Sequence, residues 1–177
     1  ALRMLEKNRL AVGRDELELN DEHLRFCLSE GVLWEEKFHR YTFIHQTWTD
    51  WLVVSHAIRN GTTLSEFITA MPSRPSLRAA VRVFFFALRE RDSTRFRREV
   101  REALRSKKTA FHFKWLLAAS MAGVEPEEGD VSLLFNKLDR YLFSAFLDAA
   151  EQKRWFAFLW NHLVPEWKEA HDRWSLV

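Results

Sequence analysis

One histidine in this 177-residue chain stands where a side chain could meet an anion. The stretch Tyr41-Thr42-Phe43-Ile44-His45-Gln46-Thr47-Trp48-Thr49-Asp50-Trp51-Leu52 joins two patterns. Tyr41, Phe43 and Ile44 are strand formers. Trp48, Trp51, Leu52, Ser55 and Ile58/Arg59 recur at helical spacing. Thr47 with Asp50 three residues on reads as an N-cap pair, and Asn60-Gly61 as a stop. His45 therefore falls at a strand-to-helix junction, beside backbone N–H groups that lack intrahelical partners. Those groups and the helix dipole favour an anion, and an imidazole can donate to a phosphate oxygen. The plainer expectation for a histidine beside aromatics is a packed core residue.

The elements that must position His45 are also legible. In Asn20-Asp21-Glu22-His23-Leu24-Arg25-Phe26-Cys27-Leu28-Ser29-Glu30-Gly31, Asn20 or Asp21 can cap a helix. Acids fill its first turn, Leu24 and Leu28 share a face, and Gly31 ends it. Val32 to Glu36 follows as a strand, then a polar turn through Lys37-Phe38-His39-Arg40, then the strand that ends at His45. Helix, strand, turn, strand is the second half of a winged-helix unit.

This region resembles the winged-helix domain of NACHT-type nucleotide switches, within the STAND class of signalling ATPases. The resemblance rests on Phe43-x-His45, Thr47, Trp48, Asp50, Trp51 and Leu52, and on Ser29-Glu30-Gly31-Val32-Leu33 before the wing. Thr49 stands where glutamine is usual, and Val53-Val54 where alanines are usual. About the first third of the chain is covered. The resemblance implies that His45 contacts the phosphates of bound ADP and holds the parent protein closed. It implies a cytoplasmic parent that binds ADP or ATP and forms homo-oligomers on activation, with defence or stress signalling as its setting.

A nucleotide core of that class needs a P-loop, G-x-x-x-x-G-K-[ST]. None of Gly13, Gly31, Gly61, Gly123 or Gly129 is followed by lysine. No apolar strand ends in paired acids either. The sequence opens directly at Ala1-Leu2-Arg3, so it is expected to be an internal or C-terminal piece of a larger protein. It is not expected to be an enzyme or to hold a cofactor by itself; ADP or ATP would be bound by the parent.

Composition limits the alternatives. A net charge of +2 gives no strong pull toward nucleic acid or an anionic membrane. The single cysteine, Cys27, rules out an internal disulfide and fits a reducing compartment. The longest apolar run, Val83 to Leu88, is far short of the ~20 residues that span a bilayer. Five glycines and four prolines disfavour a loop-rich or all-β fold, while eight tryptophans and fifteen phenylalanines mean that large aromatics fill the core or an interface.

The remainder reads as helices. Thr63-Leu64-Ser65-Glu66 is a capping box for a helix to about Ala70. Met71-Pro72-Ser73-Arg74-Pro75 is a linker. Leu77, Ala80, Val81, Phe84, Phe85 and Leu88 form the face of a central helix. Asp92-Ser93 caps the next, with Phe96, Val100, Ala103 and Leu104 as its stripe. Phe111, Trp115, Ala118, Ala119 and Ala122 mark another, closed by Gly123. After an acidic loop, Asp130 is expected to cap one long helix carrying Leu134, Leu138, Tyr141, Leu142, Ala145 and Ala149. Glu151 to Leu163 and a helix opened by Pro165 complete the chain.

Other residues weigh less. Arg89, Arg91, Arg95, Arg97, Arg98, Arg101, Arg105, Lys107 and Lys108 could track phosphates. Glu90, Asp92, Glu99 and Glu102 are interleaved, however, which favours a solvated helix face with i,i+4 pairs. Asp21-Glu22 and Glu30 at the ends of the first helix argue against DNA reading by the winged unit. His23 with Cys27, and His162 with Glu166, are isolated pairs and give no metal site. Trp155, Trp160, Trp167 and Trp174 are candidate interface anchors or core.

The resulting expectation is a mainly α fold: a partial winged-helix unit with a small β-hairpin, then antiparallel helical hairpins in a bundle or short solenoid. Residues 1–61 form the winged-helix region, 62–75 a short helix and linker, and 76–177 a helical domain. The expected function is a non-catalytic regulatory part of a NACHT-like switch, partnered by the nucleotide-binding domain of the same protein. The rivals are a helical adaptor using the tryptophan-rich C-terminal face and a nucleic-acid binder using Arg89–Lys108.

Overall fold

A computed structural model of the chain describes residues 4, 9, 11–70, 77–149 and 154–161. The fold is mainly helical with a small three-stranded antiparallel sheet. Two compact units are present, residues 1–62 with 73–84, and residues 63–72 with 85–177.

The first unit holds the sheet. Strand β1 is Ala11–Gly13, followed by a 3-10 turn over Arg14–Glu16 and helix α1 over Asp21–Ser29. Asn20 Oδ1 caps α1 by accepting from His23 N at 2.7 Å, and Gly31 leaves the helix at φ 65°. A side chain at Gly31 would be strained, which is why the stop signal works there. Strands β2 (Leu33–Glu36) and β3 (Arg40–Phe43) form the hairpin, and the sheet order is β1-β3-β2. Pairing runs Leu33↔Phe43, Trp34↔Thr42 and Val12↔Tyr41. Leu33, Tyr41 and Phe43 therefore share one face, and Leu33 and Tyr41 close with Leu24 of α1 into a small core. Helix α2 is Gln46–Arg59.

The second unit is built of helices α3 (Leu64–Ala70), α5 (Ser93–Arg105), α6 (Phe111–Met121), α7 (Glu128–Lys137) and α8 (Arg140–Ala149). Helical residues 154–161 form α9. Helix α4, Leu77–Arg91, is divided between the units at Phe84 and Phe85. All six positions of its expected apolar face are buried, as is the α5 stripe Phe96, Val100, Ala103 and Leu104. Helix α5 packs on α3, α6 and α7, and α6 packs along α8. Phe85 meets Phe96 edge-to-face at 4.8 Å, and Trp155 of α9 meets Phe146 of α8 at 4.9 Å.

The helix ends follow the sequence with two differences. Thr63 and Glu66 form the capping box, and Asp92 Oδ1 accepts from the N–H groups of Thr94 and Arg95 at 2.9 Å. The expected long helix from Asp130 is instead two, because Asp139 Oδ1 caps α8 by accepting from Tyr141 N and Leu142 N. The N-cap of α7 is Glu127, and Asp130 sits three residues in, its Oδ2 accepting from Glu127 N at 2.9 Å. The short helix α3, expected as part of a connector, belongs to the helical unit: buried Glu99 of α5 accepts from Leu64 N at 2.8 Å and from Arg95 Nε at 2.6 Å. The Met71–Pro75 linker and the helix at Pro165 lie outside the described residues.

Asp130 is fully buried and takes a bidentate pair from Arg89, Nη1 to Oδ1 at 3.0 Å and Nη2 to Oδ2 at 2.9 Å. Truncating one member of such a buried pair strands the other charge. Asp130→Ala is expected to destabilise the helical unit by about 3–5 kcal/mol, read by denaturant unfolding. Wild-type midpoints in that mutant would show that the pair is dispensable. The same network predicts acid sensitivity. The Arg97 hydrogen bond holds the Glu127 carboxyl below its ordinary 4.5, outweighing the opposing effect of burial. The stability it lends is full above pH 4.5 and is lost as pH falls through the lowered folded value.

Candidate functional site

The hairpin and α2 bring His45 to the surface of the first unit. Ile44 N donates to Val32 O at 3.3 Å, the last tie of the hairpin before the chain turns. His45 is the N-cap of α2, with extended backbone (φ −121°, ψ 132°), and its carbonyl accepts from Trp48 N at 3.0 Å. Its side chain makes no capping bond, and no acid lies in the first turn of α2. The imidazole is exposed, as are Gln46 and Thr47. The packed alternative for His45 is thereby excluded. The helix begins earlier than expected, so Thr47 lies inside its first turn and does not cap it.

The buried face of α2 also differs from expectation. Thr49, Asp50, Val53, Val54, Ala57 and Ile58 are buried, whereas Trp48 and Trp51 are 42% and 52% exposed. The two indoles meet edge-to-face at 6.4 Å. The branched Val53 and Val54 are both buried, on the side of the helix away from the two exposed tryptophans.

Two features near His45 were not evident from sequence. Asp50 is 4% exposed, and its Oδ1 accepts from Gln46 Nε2 at 3.4 Å. Burial pushes its carboxyl above the ordinary 3.8, with the Gln46 hydrogen bond opposing weakly. At the hairpin tip, Phe38 and His39 both adopt positive φ, 65° and 51°. Lys37-Phe38-His39-Arg40 contains no glycine or asparagine to announce that geometry. Phe38 is 91% exposed, and His39 Nδ1 lies 2.7 Å from Glu35 Oε1.

The other candidates separate clearly. Trp155 is 2% exposed and belongs to the core of the second unit, which removes it from the interface candidates. Trp160 is 58% exposed and stacks on Phe156 at 5.7 Å. Trp167 and Trp174, with His162 and Glu166, lie outside the described residues. On α6, Phe111 and Trp115 are exposed while Phe113 and Leu117 are buried, correcting the expected stripe by a rotation of the helix. In the basic run, Arg89 and Arg97 pair with Glu127 and Asp130, and Arg95 with Glu99. Arg89 and Arg97 thereby tie helices together, and Arg95 is paired within its own helix. Among the described residues no three His, Cys, Asp or Glu side chains cluster to hold a metal, and no helix is long and apolar enough to cross a membrane. Compared with known proteins, the chain matches no family model, no curated relative and no solved structure.

Two outcomes follow for this region. Asp50 binds its proton more tightly folded than unfolded, so stability of the first unit falls as pH rises from 3.8 through the raised folded value. Asp50→Asn is expected to stabilise that unit at neutral pH by on the order of 1 kcal/mol, with the gain vanishing below pH 3.8. Amide hydrogen exchange in α2 measures it, and equal protection at every pH would refute it. Phe38→Gly, which relieves a left-handed aromatic that buries almost nothing, is expected to leave stability unchanged or raise it by up to about 1 kcal/mol. A clear loss would mean that Phe38 is packed after all.

Proposed function

We propose that this chain is the regulatory winged-helix and helical part of a NACHT-like nucleotide switch. His45 holds the ADP-bound closed state by donating to a phosphate of nucleotide seated in a neighbouring domain of the same cytoplasmic parent protein. The single observation that carries this reading is His45 itself: an exposed imidazole at the N-cap of α2, with no capping bond and no acid in the turn that follows. Free N–H groups and a histidine donor side by side suit a diphosphate. The order α1, β2, β3, α2, with a sheet ordered β1-β3-β2, supports the winged-helix comparison. Exchange of ADP for ATP alters charge and shape at such a contact, which is the differential interaction a switch requires. Release then lets the parent assemble with further copies.

A second reading is favoured by one observation. Phe156 and Trp160 are a stacked, exposed aromatic pair, and such pairs anchor protein partners. On that reading the chain is a helical adaptor.

In the parent protein, His45→Ala is expected to speed ADP release about tenfold, the equivalent of one charge-assisted hydrogen bond, and to raise basal activity. His45→Gln, which keeps an N–H donor, is expected to recover part of the effect. ADP retention unchanged in both variants would overturn the latch. Loss of partner capture in Trp160→Ala with nucleotide handling intact would establish the adaptor instead.

A further inference from the structure

A groove of about 660 Å³ opens in the first unit, bordered by the 3-10 turn, the hairpin and α2. Its walls are apolar, with Val12, Leu17, Leu33, Phe43, Trp48 and Leu52 among them. That size and lining are those of a small-molecule site, which is mostly hydrophobic with a few placed polar groups. Glu16, Glu18, His56 and Arg59 supply the polar groups, and they are not equivalent. Glu16 Oε2 accepts from Gly13 N at 3.3 Å and is engaged in the 3-10 turn. Glu18 has an interaction of its own. His56 Nε2 lies 2.8 Å from Asn60 Nδ2 and is engaged there.

Arg59 is different. It is exposed, and its Nε donates to Ser55 O at 3.2 Å. Its terminal Nη groups have no partner among the described residues. The C-terminal end of α2 contributes only about half a negative charge, spread over its last turn, which the guanidinium outweighs. The groove thus offers an aromatic and aliphatic wall beside the fork-shaped guanidinium of Arg59, whose terminal nitrogens are unpaired among the described residues. A carboxylate is the group that matches such a fork with two parallel hydrogen bonds.

We propose that this groove binds a small amphipathic carboxylate, its apolar body along Phe43, Trp48 and Leu52 and its carboxylate on Arg59. The site does not use His45, so it stands or falls separately from the latch.

Cys27, half-buried and the single cysteine of the chain, lines the same groove and reports on its occupancy. The rate of Cys27 labelling by a thiol reagent is measured while decanoate, decanol or decylamine is titrated below its micelle concentration. Saturable protection by decanoate is expected, at least tenfold tighter than by decylamine or decanol. Arg59→Ala, an exposed position that should fold normally, is expected to weaken decanoate protection about tenfold and leave decanol unchanged. Arg59→Lys is expected to retain part of it. Equal protection by all three amphiphiles, unchanged decanoate protection in Arg59→Ala, or no protection at all would each overturn the proposal.

Discussion

The carboxylate of Asp130 is the constraint around which the helical unit is arranged. It is fully buried, and a buried carboxylate is tolerable only when its oxygens are filled and its charge is met. Arg89 from α4 meets both oxygens, and Glu127 N, at the start of α7, meets one of them again. Arg89 Nη2 also donates to Glu125 O at 2.6 Å, and its guanidinium lies 5.2 Å from the centre of the Phe96 ring. One side chain thereby fixes the end of α4 against α5 and against the loop before α7. Arg97 completes the arrangement from α5 by donating to Glu127 Oε2 at 2.8 Å. A Cβ at Gly129 would stand 2.7 Å from Arg97 Nε, so a side chain there would make Arg97 shift. Three arginines of the basic run, Arg89, Arg95 and Arg97, are committed to acids within the unit.

The helical unit was largely legible because its signals are local. Capping residues, a 3.6-residue apolar period and glycine stops act within a few residues of themselves, and Thr63, Asp92 and the α4 face all read correctly. The positions of α3 and of Asp130 depend on partners distant in sequence. Glu99 caps α3 from 35 residues away, and Asp130 is drawn inward by Arg89, 41 residues away, so that Glu127 takes the outer capping position. Long-range partners of this kind leave no spacing rule in the sequence. The break at Asp139 was readable as a cap, but the apolar spacing from Leu134 to Leu142 continues across it and conceals it.

The first unit was harder to read for a different reason. Its strands are three or four residues long, and the core beneath the hairpin is a cluster of Leu24, Leu33 and Tyr41. Helix α2 carries apolar residues on more than one face, so periodicity alone does not say which face is buried. Trp48 and Trp51 outrank Val53 and Val54 in size, yet the valines are buried. In a unit this small, compact branched side chains fill the space beside the helix, and the indoles, which carry a polar N–H, remain at the surface. The hairpin and the position of His45 at its exit were legible; the direction of the aromatics around it was not.

The distribution of broken local rules distinguishes the two units. In the helical unit, α5, α7 and α8 have their capping carboxylates in place and α3 has its capping box. Between residues 38 and 50 of the first unit, three rules fail together. An aromatic takes a left-handed backbone, a histidine occupies an N-cap without capping, and an acid is buried against a single long hydrogen bond. Serine or aspartate at position 45 would stabilise α2 by about 1 kcal/mol, and the chain forgoes it. Sequences tolerate such concentrated inconsistency where something other than stability is being served. The hairpin exit gathers such departures between residues 38 and 50, whereas those of the helical unit, the uncapped start of α6 at Ala110 and the unpartnered buried Arg101 Nε, Thr109 Oγ1 and Trp155 Nε1, are spread along the chain. Residues 38–50 are the stretch where that concentration is greatest, while Arg95 and Arg97 of α5 are tied to Glu99 and Glu127.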